Sequence, residues 1–114
     1  MFGRRKPYVS SETEHAVIVR VKLTGGKYGT DQERSSIFKA GRRLHRVITR
    51  AGVGEHDGNE FGGGEAVLYS YGPDADRLFA VVEPVFKSFP MEAVAVLRYG
   101  APADPQVKET EIPL

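Results

Sequence analysis

The sequence predicts an α+β fold of the ferredoxin-like kind, a two-layer sandwich with two helices on one face of an antiparallel sheet. Three observations carry that expectation. Strand-like alternation and helix-like periodicity succeed one another in the order β-α-β-β-α-β, with a candidate fifth strand at the C-terminal edge. Glycine and proline clusters fall between these stretches rather than within them, with one exception at Pro84. The 114 residues, 40% hydrophobic and 27% charged, suit a single domain with its own core.

Residues 1–10 read as a flexible N-terminal arm, in which Pro7, Tyr8 and Val9 offer a short edge strand, and the single domain is expected over 11–114. Over 15–23, Val17, Val19, Val21 and Leu23 alternate with Ile18, Arg20 and Lys22, the pattern of one dry and one wetter sheet face. A turn-rich stretch with Gly25, Gly26 and Gly29 follows. Thr30 and Glu33 then form a capping box, with Asp31 and Glu33 suited to the positive end of a helix. The spacing predicts a helix over 31–50 that buries Ile37, Gly41, Leu44, Ile48 and Ala51, widened by Phe38 and Val47, and stops at Gly52 or Gly54.

Residues 53–61 are polar and predict a solvated edge strand or loop. The run Gly62-Gly63-Gly64 marks a turn or bulge before a central strand over 65–71. Pro73, as first helical residue, and Asp74 and Asp76 open a second helix whose buried side is Leu78, Val82, Val85 and Phe89, flanked by Val81 and Phe86. Pro84 must kink or split it, because its ring clashes with the preceding turn and it lacks a donor. A strand over 93–99, a turn at 100–105 and a strand over 107–112 complete the chain.

Composition removes several classes of function. Without cysteine there is no disulfide, thiolate metal site or cysteine nucleophile. No apolar signal core follows Arg4, Arg5 and Lys6, and the longest apolar run, near 94–97, is too short to cross a bilayer. A cytoplasmic protein without membrane contact is expected.

Two stretches carry a resemblance. One runs from Gly29-Thr30-Asp31-Gln32-Glu33-Arg34 into the first helix; the other includes Glu60-Phe61-Gly62-Gly63-Gly64-Glu65-Ala66-Val67-Leu68-Tyr69-Ser70-Tyr71-Gly72-Pro73-Asp74-Ala75-Asp76. With the Leu97-Arg98-Tyr99-Gly100 end, they resemble a family of small bacterial hypothetical proteins. That resemblance implies one domain and no particular activity. The Asp57-Gly58-Asn59-Glu60 stretch is also similar to the ferredoxin-like regulator B of ribonuclease E activity, which implies an inhibitor of another protein.

Residue chemistry offers few catalytic groupings. Glu55, His56, Asp57, Asn59 and Glu60 are hard ligands, but counting from Asp57 puts Phe61 fifth and Leu68 twelfth, which fails the calcium-loop template. His15, His45 and His56 lie on three different elements, against zinc, and no cofactor is expected. Gly25, Gly26 and Lys27, before a helix N-terminus, and Gly62, Gly63 and Gly64 are candidate ligand loops, although no Walker sequence is present and Asp31 and Glu33 oppose phosphate. The serines lack a nucleophile-elbow context. Acylphosphatase-like chemistry would need a phosphate-cradling loop that is not readable here. Catalysis would otherwise need Glu60, Glu65 and His56 to converge, so an enzyme is the last of three readings.

The charge distribution is the strongest signal. Net charge is +1, yet residues 34–50 hold six basic and no acidic residues, whereas residues 51–114 hold four basic and eleven acidic. Lys39, Arg43, Arg46 and Arg50 form a helical stripe with Arg42 beside it. The expectation is a non-catalytic protein-binding module (a regulator, inhibitor or immunity-type protein) whose basic first helix meets an acidic partner, or whose open sheet forms a homodimer. Nucleic acid or another anionic ligand on the same helix is the alternative. Tyr69 and Tyr71 share a strand face, expected beside Tyr99, but no RNA-binding aromatic motif surrounds them.

Overall fold

The computed structural model describes residues 14–100 and 105–114. The expected arm over 1–10 and most of the turn at 100–105 lie outside them. Among the described residues, five strands and two α-helices follow in the order β1 (His15–Lys22), α1 (Asp31–Ala51), β2 (Glu55–Gly62), β3 (Glu65–Gly72), α2 (Ala75–Val82), β4 (Ala93–Arg98) and β5 (Glu109–Pro113). The strands form one sheet in the order β2-β3-β1-β4-β5, and every neighbouring pair is antiparallel.

Period-2 patterning sorts the sheet into two faces. Val17, Val19 and Val21 of β1, Ala66 and Leu68 of β3, and Ala93, Ala95 and Leu97 of β4 are buried in one cluster with Ile37, Ala40, Leu44 and Ile48 of α1 and Leu78 and Val82 of α2. Both helices therefore cover the same face. The opposite face carries Ile18, Arg20, Val67, Tyr69, Val94 and Val96, half-buried apart from Arg20. Ile18 pairs with Tyr69 on one side and Val96 on the other.

The ends of α1 obey local chemistry. Thr30 accepts from the amide of Glu33, whose carboxylate accepts from the amide of Thr30, while Gly52 closes the C-terminus in the left-handed region. Its buried side departs from the expected stripe at several positions, and Gly41 is only half-buried. Ala40 is buried, whereas Phe38 is 47% exposed and Ala51 is exposed. The sheet lies along the 37/40/44/48 row, which tips Phe38 onto the β2 flank, where its ring meets Phe61 at a centroid distance of 5.5 Å.

Three other expectations need correction. β2 is an edge strand interrupted by a bulge between His56 and Gly58, and it is not solvated throughout, because Glu55 and His56 are buried. Asp74, not Pro73, sets the start of α2, accepting from the amides of Asp76 and Arg77 at 3.0 and 3.2 Å. Tyr99 lies away from Tyr69 and Tyr71, on the helix side. There its hydroxyl donates to Asp76 at 2.6 Å and its ring meets that of His15 edge-on. Pro84 splits the second helix as its chemistry requires: α2 ends at Val82, and a short 3-10 turn, Glu83–Phe86, continues the buried side with Val85 and Phe86. No helix among the described residues is long and apolar enough to cross a membrane.

Candidate functional site

A 21-residue helix laid across a sheet can bury only one row of side chains, so both its flanks remain available. The structure divides the predicted basic stripe between them. Arg42, Arg46 and Arg50, four residues apart, line an open groove of about 900 Å³ between α1 and β2. Lys39 and Arg43 lie on the other flank, beside Val85, Phe89 and Pro90. Arg34 belongs to neither, because it donates to the carbonyls of Gly29 and Tyr28 at 2.6 and 3.1 Å and pairs with Asp31. Among the described residues, none of Lys39, Arg42, Arg43, Arg46 and Arg50 has an ion-pair partner.

Gly41 and His56 meet at the floor of the groove. His56 is only 7% exposed, with Nδ1 3.1 Å from the Ser70 hydroxyl. A Cβ added to Gly41 would lie 3.5 Å from its Nε2. That is an ordinary contact distance, so the imidazole tucks under α1 without crowding it, and the space above stays open. His45 and Thr49 complete the helix wall, Asn59 stands on the strand side, and the exposed Phe38 closes one end. The Arg42-Arg46-Arg50 row is legible as an i, i+4, i+8 repeat. The parts played by Phe38, Gly41 and His56 follow only from the placement of β2 beside α1.

The two candidate glycine loops come together. The amide of Gly64 donates to the carbonyl of Lys27 at 3.0 Å, and the amide of Leu23 donates to the carbonyl of Gly64 at 2.9 Å. Gly63 and Gly64, with φ of 59° and 84°, form the two-residue hairpin turn that joins β2 to β3. The donors expected to attract an external anion already hold an internal one. Glu33 accepts from the amides of Thr30, Thr24 and Gly25 at 3.0, 2.9 and 3.1 Å and from the Thr24 hydroxyl at 2.7 Å. The Thr30 amide first, then the amide and hydroxyl of Thr24, pull its carboxyl down to about 2.

The residues that an enzyme would need do not converge. His56 faces α1, whereas Glu60 and Glu65 lie on the open face. Glu65 pairs with Arg20 at 3.2 Å, and Glu60 accepts from the Tyr69 hydroxyl at 3.3 Å. Burial, then the Asp57 carboxylate, pushes the Tyr71 phenol up to about 12, and burial followed by Glu60 raises that of Tyr69. Among the described residues no group of three or more histidines and carboxylates is placed to hold a metal ion. Comparison with family models, curated proteins and solved structures finds no match for this chain.

Proposed function

We propose that this chain is a non-catalytic interaction module that binds an acidic segment of a partner protein in the α1–β2 groove, in the manner of a small regulator or inhibitor. The observation that carries this reading is the row Arg42, Arg46 and Arg50, aligned along one groove with no ion pair among the described residues. Like charges one helical turn apart repel one another, and an external anion relieves that repulsion.

A protein partner fits better than nucleic acid. A polyanion long enough to leave the groove meets a molecule whose residues 51–114 carry eleven acidic against four basic groups. The aromatic platform that RNA would stack on is framed by Glu60 and Glu65. The order β2-β3-β1-β4, with α1 after β1 and α2 after β3, supports a ferredoxin-like core extended by β5 at the β4 edge. The resemblance to the regulator B of ribonuclease E activity accords with an inhibitory role. A second association, between two copies through the open face, is favoured by the half-buried Ile18, Val67, Tyr69 and Val96 there.

The test is affinity capture from a native lysate with and without nuclease, using the wild type and the pair Arg42→Glu, Arg46→Glu. A stoichiometric protein that survives nuclease and is lost from the double variant is expected. A protein retained equally by both removes the groove from the interaction. Co-purifying nucleic acid that leaves as salt is raised favours the alternative ligand.

A further inference from the structure

Resting on that reading, we propose that the acidic segment binds as an extended strand added to the outer edge of β2, its carboxylates facing Arg42, Arg46 and Arg50 and a leading apolar side chain on Phe38. Three observations lead to this occupant. The first is the edge itself. β2 ends the sheet, and no described strand lies beyond it. The two-residue turn makes Gly62 and Glu65 a hydrogen-bonded pair, so Glu60 and Gly58 direct their peptide groups at β3. Phe61 and Asn59, between them, direct theirs outward, where a further extended chain can pair with them.

The second is spacing. Residues four apart on α1 are separated by about 6 Å along the helix axis. Same-face side chains of a strand are about 6.7 Å apart. Over three arginines the two repeats drift by little more than 1 Å, roughly, which flexible Arg and Glu side chains absorb. An extended segment with an acidic residue at every second position therefore presents one carboxylate to each guanidinium.

The third is polarity along the groove. Phe38 packs against Phe61 near the end of β2, while the groove continues past Asp57 toward Arg50. A segment antiparallel to β2 enters at the aromatic end and leaves along the arginines, so an apolar residue precedes the acids. The bulge between His56 and Gly58 limits regular pairing to the Asn59–Phe61 end. Beyond it the segment is held by charge. The same bulge discourages β2 from pairing with a copy of itself.

The experiment uses the full chain and a fluorescent eight-residue peptide with leucine at the second position, glutamate at the fourth, sixth and eighth, and threonine elsewhere. Its controls are the same peptide N-methylated at alternate amides, a glutamine-for-glutamate peptide, and oligothymidylate of eight nucleotides. We expect the parent peptide to bind, and N-methylation and Arg46→Glu each to weaken it by about tenfold or more, as expected for hydrogen-bonded and charge-paired contacts. The amides of Asn59 and Phe61 should gain protection from hydrogen exchange. Equal affinity for the parent and N-methylated peptides, with no added protection, overturns strand addition and leaves the acidic-partner reading standing. Parent binding that Arg46→Glu and Arg42→Glu both leave unchanged overturns the placement. No peptide binding, with oligothymidylate binding lost in Arg46→Glu, overturns both readings.

Discussion

Glu33 shows how one side chain can close a site that its surroundings advertise. A glycine-rich β-α loop and a helix N-terminus offer several amides to an anion. Here a carboxylate from the third position of the helix accepts from three of them and from a hydroxyl. Its carboxyl is held at about 2, against 4.5 for an ordinary glutamate. A folded-state value below the unfolded one adds stability that is complete above about pH 4.5 and is lost as pH falls toward about 2. Glu33→Gln should therefore melt below the wild type at neutral pH, and the gap should close through that acid window. Thermal melts of both proteins across it test this, and parallel curves would remove the assignment. Of the candidate ligand residues Gly25, Gly26 and Lys27, the amide of Gly25 is thereby already occupied by the loop's own anion.

At the scale of elements, contacts between distant residues do what local signals cannot. The start of α2 is capped twice. Asp74 satisfies the amides of Asp76 and Arg77, and the Nδ1 of His15, from the first residue of β1, accepts from the amide of Ala75 at 2.9 Å. The acceptor role of Nδ1 places the ring proton on Nε2. His15→Ala should cost about 1–2 kcal/mol, because a part-buried helix amide loses its acceptor, and Tyr99 loses an edge-on ring neighbour at 5.7 Å. Chemical denaturation measures the loss. No loss would mean that Asp74 alone caps the helix. The capping box of α1, by contrast, is complete within four residues. That is why its first residue was readable from sequence while the first residue of α2 was displaced from Pro73 to Ala75.

For the whole molecule, the sheet fixes which surfaces remain. Gly54 and Gly72 sit back to back where the chain enters β2 and leaves β3. A Cβ on Gly54 would lie 2.1 Å from the Tyr71 carbonyl oxygen, at a φ of 153°, and one on Gly72 would lie 2.3 Å from that of Val53. Backbone cannot yield there as a flexible side chain would, so Gly54→Ala should cost about 3 kcal/mol or more and loosen β2. Equilibrium unfolding with hydrogen exchange of the β2 amides tests it. A fully stable variant with protected β2 amides would show that the approach can relax. Because β2 forms one wall of the groove, the same change should weaken any partner held there.

Alternation in β1, the presence of strands at β3 and β4, the capped start of α1 and the break at Pro84 were all determined by the sequence itself. Each rests on interactions between residues a few positions apart, where backbone geometry leaves few choices. The division of the basic stripe, the exposure of Phe38, the burial of His56 beneath Gly41 and the placement of Tyr99 on the helix side were decided only in three dimensions. The physical reason is coverage. Helical spacing shows that Lys39, Arg42, Arg43, Arg46 and Arg50 avoid the core, but which flank becomes a groove depends on the strand laid beside it. That strand is chosen by the whole sheet, through pairing between residues far apart in the chain.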